Sequence, residues 1–273
     1  MSTKFAICNE LFEGWPWERI CEFVAGVGYD GIEVAPFTLA ESVTEVSAER
    51  RAQLRRQAEQ AGLEVVGLHW LLVSPKGLSI NGPDAALRAR TAQYLAELVD
   101  FCADLGGRVM VLGSPKQRDV LEGMTYEQAW ERMKESLRPP LERAADRGVT
   151  ICPEPLAPVE TNFINTAAEA RRFVQEMGHP NLKMMLDVKA MSSEGRPLGD
   201  IIRENDDLLV HFHANDANLR GPGFGDTDFG PIAQALRDVG YDGFVSVEVF
   251  DFKPDPETIA TQSLAYLKQA FGE

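Results

Sequence analysis

Four polar side chains, each near the end of a separate apolar segment, are the residues of this chain best suited to chemistry. They are Glu154 in TICPEPL, Asp187 in MMLDVK, His213 in VHFHAND and Glu248 in VSVEVF. Consecutive members lie 33, 26 and 35 residues apart, which is close to the length of one strand with its following helix. Because parallel strands end at the same edge of a barrel, we expect the four side chains to lie at one level.

Three carboxylates that converge in a water-poor site repel one another, so they either take up protons or collect a cation. One divalent metal ion would relieve that repulsion. Carboxylate oxygens with one imidazole suit Mn²⁺, Mg²⁺ or Co²⁺ better than an ion that prefers thiolates, and Mn²⁺ is the ion that we expect first. At any single position the acid could instead cap a helix or bind a loop amide, but four such residues on successive strands favour a shared metal.

A second histidine precedes the candidate ligand by two positions in VHFHAND (210–216). Side chains two positions apart on a strand share a face, so His211 should point inward together with His213. His213 is the predicted ligand. His211 is either support behind that ligand, a contact to substrate or a structural histidine, and the sequence leaves these alternatives open.

Further residues near the predicted strand ends are candidates for binding a substrate. Glu33 ends the second predicted strand and could accept a substrate hydroxyl, and His69 ends the third. Lys189 shares the face of Asp187 if the sixth predicted strand continues that far, and is otherwise a solvated strand end. Trp15 begins the first predicted helix and could cover the mouth of the site, although core packing explains a tryptophan there as well.

Short β-branched runs alternate with longer amphipathic stretches along the whole chain. Eight strands, each followed by a helical pattern, indicate an α/β fold of the (β/α)₈ or TIM barrel type. The length of 273 residues suits such a barrel. Because no linker or low-complexity stretch interrupts the pattern, we expect a single domain over residues 1–273. The predicted strands occupy residues 4–8, 31–36, 64–71, 108–114, 150–156, 182–189, 208–216 and 243–250.

A doubly wound open sheet would show the same alternation and is the main rival. Its nucleotide signature is a glycine-rich loop between a first strand and a helix. The glycine-rich stretch GPGFGDTDFG (221–230) follows the seventh predicted strand instead, among aspartates that would repel a pyrophosphate. We therefore interpret this stretch as a long flexible loop.

The composition excludes several classes of partner. A formal net charge of −15 argues against nucleic acid, so a small, neutral or metal-assisted substrate is expected. No apolar run approaches the roughly eighteen residues of a membrane helix, and MSTKFAICNE lacks a signal-peptide core, so we expect no membrane partner and a cytoplasmic location. The four cysteines lack CxxC spacing and are predicted to be buried free thiols. A homo-oligomer is left open.

The sequence resembles the xylose isomerase-like barrel superfamily along the whole chain and most densely from residue 150 onward, especially the ketose 3-epimerases of the tagatose and psicose type and the inosose-processing enzymes. EPLAPVETNFINTAAEA (154–170) is similar to their fifth-strand motif, which implies that Glu154 binds a metal and Glu160 binds substrate. The LD of MMLDVKA resembles their sixth-strand motif. His213 and Glu248 match the ligands of the last two strands, and RGPG (220–223) resembles a loop whose arginine, here Arg220, holds a substrate hydroxyl.

The chain also departs from that family. Ala190 stands where the ketose epimerases carry a substrate-binding histidine, and Pro158 stands where an arginine is common. Arg220 lies about one residue later than the motif requires. The family's sugar contacts are therefore not expected to be copied in full, and free ketohexose is in doubt as the substrate.

The expected function is a divalent-metal-dependent sugar isomerase or epimerase acting on a hydroxy-ketone. A proton would leave the carbon beside a metal-bound carbonyl to give an enediolate, with Glu154 and Glu248 as the groups that remove and return it. The alternative is a lyase or hydratase that uses the same metal on keto-sugars or inososes, which Ala190 makes more credible. A non-catalytic sugar-binding subunit is a further alternative. Endonuclease IV-type nucleases fit poorly, because they need several zinc ions and many histidines.

Overall fold

A computed structural model describes residues 3–273 and contains eight parallel strands that form one barrel sheet, which confirms the expected (β/α)₈ architecture. Every predicted strand is present. The first has the predicted length, and the other seven are shorter than predicted. The strands are β1 (Lys4–Cys8), β2 (Gly31–Val34), β3 (Glu64–Leu68), β4 (Val109–Leu112), β5 (Thr150–Pro153), β6 (Met184–Asp187), β7 (Leu209–Ala214) and β8 (Phe244–Val247).

The sheet runs in the order β5-β4-β3-β2-β1-β8-β7-β6, so each strand pairs with its neighbours in sequence and β1 pairs with β8. Between β5 and β6 the barrel is joined by a single bridge, from Ile151 to Leu182. The register shifts in β2 between Ile32 and Glu33, at its pairing with β3. Such an irregularity changes where the next side chain points, and Glu33 points into the barrel.

Helices surround the sheet, and side chains cap the amino-terminal ends of most of them. Thr125 and Thr166 each form a capping box with the side chain three residues later, Gln128 and Glu169. The helices are α1 (Trp17–Val27), α2 (Ala48–Ala61), α3 (Ala85–Leu105), α4 (Tyr126–Arg147), α5 (Ala167–Met177), α6 (Val188–Ser192), α7 (Leu198–Glu204), α8 (Phe229–Asp238) and α9 (Pro256–Phe271).

The main core lies between the helices and the outer face of the sheet, and a second small cluster fills the barrel itself. Val111, Cys152 and Met185 form that inner cluster, and all three are fully buried. At Gly67 a Cβ would lie only 1.9 Å from the carbonyl oxygen of Val109, so β3 and β4 approach too closely for a side chain. The four cysteines are buried and unpaired, as predicted.

Two strand ends differ from the prediction in ways that matter for function. β6 ends at Asp187 and turns directly into α6, so the expectation that Lys189 continues a strand on the face of Asp187 is wrong. β3 ends at Leu68, and His69 and Trp70 follow it. Trp70 has a φ of 53°, a left-handed conformation that is uncommon for a tryptophan. None of the helices in residues 3–273 is long and apolar enough to cross a bilayer.

Candidate metal centre and active site

The structure brings the four predicted ligands together inside the carboxyl-terminal end of the barrel. Glu154, Asp187, His213 and Glu248, here called the quartet, each offer a ligand atom within 4.8 Å of all the others. All four side chains are buried. Nδ1 of His213 lies 3.0 Å from Oε2 of Glu248.

The two glutamates of the quartet follow directly on strand ends. The backbone N–H of Glu154 donates to the carbonyl of Leu112 on β4, and that of Glu248 donates to the carbonyl of Ala214 on β7. Gly113 leaves the space that the Glu154 side chain occupies, since a Cβ at that position would lie 2.1 Å from Oε2 of Glu154. The position of the Glu154 carboxylate thus depends on a glycine one strand away.

Asp187 serves as a helix cap and as a member of the quartet at the same time. Its Oδ1 accepts the backbone N–H of Ala190 at 2.7 Å, which caps α6. Its Oδ2 accepts a hydrogen bond from the side-chain amide of Asn215, whose own oxygen accepts the N–H of Lys189 at 2.8 Å. Sequence reasoning missed Asn215, although it lies two positions after His213 and so shares the inward face of β7.

Beneath the quartet, the carboxylate of Glu33 fixes two histidines. Nε2 of His213 lies 3.1 Å from Oε1 of Glu33, and Nε2 of His211 lies 2.9 Å from Oε2. A carboxylate can only accept, so each Nε2 carries the proton, which leaves Nδ1 of His213 turned toward the quartet. Glu33 and His211 are both about 1% exposed and lie below the quartet rather than at its open side.

The charges of the quartet are unbalanced without a cation. Burial and the negative charges of Glu248 and Asp187 raise the pKa of Glu154. Burial also raises the pKa of Asp187. Burial opposes the charged form of His213, but Glu33 and Glu248 outweigh it and hold its pKa well above the usual range. These shifts mark a site that gains free energy when a positive charge enters it.

The donor set fits a divalent metal ion. Nδ1 of His213 is buried and faces the quartet, 3.0 Å from Oε2 of Glu248, so its lone pair becomes available to an ion once the proton leaves. Three carboxylates and one imidazole are ligands that divalent ions of the manganese, magnesium and cobalt kind accept. Glu154, Asp187, His213 and Glu248 would hold the ion.

A narrow cavity, here called the quartet cavity, opens above the quartet. Glu154, Glu248, His69 and Trp70 line it together with Gly113, Glu160, Lys189 and Phe250. Nζ of Lys189 donates to Oε1 of Glu160 at 2.7 Å and lies 3.9 Å from the centre of the Phe250 ring. Lys189 is 8% exposed, so the alternative of a solvated strand end is wrong.

His69 is part of a buried pair that the sequence did not predict. Its Nε2 lies 2.7 Å from Oε2 of Glu10, which stands two residues past the end of β1. Burial alone would lower the pKa of His69, but the charge and hydrogen bond of Glu10 outweigh it and raise the pKa to about 9. A polar residue just past the first strand end is the signal that could have identified Glu10.

Besides Glu33 and His211, two more of the predicted substrate contacts lie outside the quartet cavity. The guanidinium of Arg220 donates to the carbonyl of Lys253 at 3.2 Å and lies over the ring of Phe224. Trp15 precedes α1 rather than beginning it, and the guanidinium of Arg19 lies 3.5 Å above its ring. Trp15 lines a neighbouring cavity that opens on the same face of the barrel.

A family model described as "Xylose isomerase-like TIM barrel" matches residues 21–270. The chain belongs to the xylose isomerase-like TIM barrel family. This confirms the resemblance inferred from the sequence, including its extent through nearly the whole barrel.

Several members of the xylose isomerase-like family with assigned activities are similar to this chain. D-psicose 3-epimerase of Agrobacterium fabrum is 33% identical over 84% of this chain and 78% of its own. 3-Dehydro-D-guloside 4-epimerase of Escherichia coli is 26% identical over 90% and 92%. A crystal structure of a D-psicose 3-epimerase in the presence of D-fructose superposes with a TM-score of 0.88, at 28% identity over 99% and 100%. These relatives place the chain among sugar isomerases and epimerases.

Proposed function

We propose that this protein is a divalent-metal-dependent epimerase of keto-sugars, with Mn²⁺ as the ion expected first. The observation that carries the proposal is that Glu154 and Glu248 line one cavity and share a metal-competent quartet with Asp187 and His213. Two carboxylates at one reacting carbon are what an epimerase needs, because one removes a proton and the other returns it.

The surroundings of Glu154 and Glu248 prepare them for different protonation states. Burial and neighbouring charge raise the pKa of Glu154. Burial also acts on Glu248, but His213 outweighs it and lowers the pKa of Glu248. Opposite shifts of this kind separate a proton donor from a proton acceptor. When bound, the metal ion would polarise the substrate carbonyl and make the adjacent carbon acidic.

In the proposed mechanism Glu248 takes the proton from the carbon beside the carbonyl and Glu154 gives one back to the opposite face. Removal of the proton leaves an enediolate, and its return from the other side inverts the carbon. The geometry that supports this pair is that both carboxylates line the quartet cavity. The reverse reaction exchanges the two roles.

Lys189 and Glu160 supply the polar contacts of the proposed quartet cavity. Ala190 provides no polar group where the ketose epimerases carry a histidine. Lys189 immediately precedes Ala190, and its side chain lines the quartet cavity. It would donate to a substrate oxygen and stabilise developing negative charge there, while Glu160 orients it through their 2.7 Å ion pair.

The other predicted residues take supporting or peripheral roles in this proposal. Glu33 and His211 hold the ring of His213, and His69 borders the substrate. Arg220 and Trp15 remain predicted substrate contacts. The cytoplasmic location and the homo-oligomer also remain predictions. The lyase alternative and the sugar-binding subunit are not retained, because the relatives named above are epimerases.

Proton NMR in D₂O tests the proposal. We expect the Mn²⁺-loaded protein to introduce deuterium beside the carbonyl of at least one of D-fructose, D-psicose, L-ribulose and a 3-keto-glucoside, together with the epimer. The Glu154→Gln variant should bind the same sugar without forming epimer. Loss of the β-hydroxyl to give an enone would contradict the proposal in favour of a lyase, and absence of exchange with every sugar would contradict it outright.

A further inference from the structure

A second and larger cavity adjoins the quartet cavity. It measures about 810 Å³ and is bounded by the segments that follow β1, β2, β3 and β8. Seven aromatic side chains dominate its lining, and we call it the aromatic cavity. They are Phe12, Trp15, Trp17, Phe37, Trp70, Phe250 and Phe252. Its volume lies in the upper part of the range of about 300–1,000 Å³ that is typical of small-molecule sites.

Two aromatic side chains are common to both cavities. Trp70 and Phe250 line both, and their rings meet edge to face with centroids 6.3 Å apart. The quartet cavity itself measures about 20 Å³, which is room for about one water molecule. A sugar at Glu154 and Glu248 needs more room than this, and a displacement of Trp70 and Phe250 would join the two cavities.

Glu10, which lines the aromatic cavity, carries a carboxylate oxygen without a partner. Oε1 of Glu10 is buried and accepts no hydrogen bond, while Oε2 is held by His69 at 2.7 Å. The amide of Asn9 is already used by Thr38 and Ala35. An unsatisfied buried acceptor costs free energy, and a ligand hydroxyl at Oε1 of Glu10 would recover it.

The charges around the aromatic cavity are balanced. Glu10 and Glu13 line it together with Arg50, whose guanidinium donates to Gln53, and Arg19 lies over Trp15 at the same cavity. Because aromatic side chains dominate the rest of the lining, an uncharged ring with hydroxyls could place its apolar face on one of them and donate to Glu10.

We propose that the aromatic cavity binds an uncharged glycosyl group attached to the keto-sugar that reacts at the quartet. The substrate is then a keto-sugar glycoside or disaccharide rather than a free ketohexose. This inference rests on the proposed epimerase function, since it assigns the reacting ring to the quartet cavity and the attached ring to the aromatic cavity.

Glucosyl-fructoses test the proposal against free fructose. Deuterium exchange by the Mn²⁺-loaded protein is compared for D-fructose, 4-O-glucosyl-fructose and 6-O-glucosyl-fructose. We expect kcat/KM to be at least tenfold higher for one of the disaccharides. In the Phe37→Ala variant, the ratio of kcat/KM for the better disaccharide to kcat/KM for fructose should be at least fivefold lower than in the wild type. Leu121→Ala, an exposed apolar residue outside both cavities, is the matched control and should leave the ratio as it is.

Tryptophan fluorescence of the full chain without added metal separates the two hypotheses. Trp15, Trp17 and Trp70 line the aromatic cavity, so a bound disaccharide should change the emission saturably, and Phe37→Ala should weaken that binding. Binding of a glucosyl-fructose without exchange of any sugar would retain the cavity and overturn the epimerase. Exchange of fructose with no preference for a disaccharide and no fluorescence change would retain the epimerase and overturn the cavity.

Discussion

Glu33 holds a negative charge in the middle of the barrel, where water does not reach it. Burial alone would raise its pKa, but the charges and hydrogen bonds of His211 and His213 outweigh burial and lower that pKa well below its usual range. The carboxylate sets the tautomer of His213 and so decides whether Nδ1 can serve as a ligand. We therefore expect Glu33 to position His213 rather than to contact substrate, the role suggested by its place at a strand end.

Replacing Glu33 by Gln tests that positioning role. The amide retains the shape but removes the charge and offers a weaker acceptor, so His213 loses its orientation. We expect the affinity for Mn²⁺, measured by isothermal titration calorimetry, to fall by about 10–100-fold. Glu22→Gln, on the exposed face of α1, is the control. An unchanged dissociation constant in a folded Glu33→Gln protein would refute the role.

Lys189 carries the positive charge that the proposed mechanism uses beside the substrate. Lys189→Met retains the stem that lies on Phe250 but removes the ammonium and leaves Glu160 unpaired. We expect kcat to fall by about 100-fold, with Lys189→Arg recovering part of the loss. Steady-state kinetics on the best sugar measures both. Equal kcat values for the wild type and Lys189→Met would show that the ammonium takes no part.

At the scale of elements, the site depends on how closely neighbouring strands approach. Glu154 follows β5, but the space for its carboxylate comes from Gly113 just after β4. β6 stops at Asp187 because that residue caps α6, and this turn brings Lys189 back over the quartet cavity. The ends of four strands and the helix after β6 therefore act together.

Gly113→Ala tests this dependence between strands. The new Cβ would overlap Oε2 of Glu154, so the carboxylate must move away from the quartet. A displacement of about 1 Å can reduce a rate by about 100-fold, and we expect that loss in kcat/KM together with weaker Mn²⁺ binding. Gly26→Ala in α1, where a Cβ meets nothing within 4 Å, should retain full activity and change stability by at most about 1 kcal/mol. Full activity in Gly113→Ala would contradict the geometry.

At the scale of the whole molecule, the His69–Glu10 pair ties the segment after β3 to the segment after β1 and makes stability depend on pH. The pKa of His69 is about 9 in the folded chain against 6.5 as its ordinary value. A raised pKa stabilises the fold fully below the unfolded value, and that contribution disappears as the pH rises through the folded value.

Urea unfolding at several pH values tests this linkage. Between pH 6 and pH 10 the free energy of unfolding should fall by about 3 kcal/mol on account of His69. Ionisation of buried cysteines and tyrosines also lowers the free energy of unfolding at high pH. The decisive comparison is therefore between the wild type and the His69→Gln variant. The difference between the two proteins should shrink as the pH rises. A difference that is the same at pH 6 and pH 10 would show that His69 is not charged in the folded chain.

The sequence by itself determined the barrel and the quartet. Period-two strands, amphipathic helices and the spacing of one polar residue per strand are local properties, and the closed parallel barrel converts equal depth along each strand into proximity. That is why Glu154, Asp187, His213 and Glu248 could be named together before any coordinates were known.

Only the tertiary structure decided which groups support the quartet and what space lies beside it. Glu33 meets His213 across 180 residues, and Glu10 meets His69 across 59, contacts that exist because β1, β2, β3 and β7 enclose the same interior. Asn215, the course of the chain at Lys189 and the aromatic cavity likewise depend on how strand ends turn and how loops pack. Such contacts join residues far apart in the chain, and no local period encodes them.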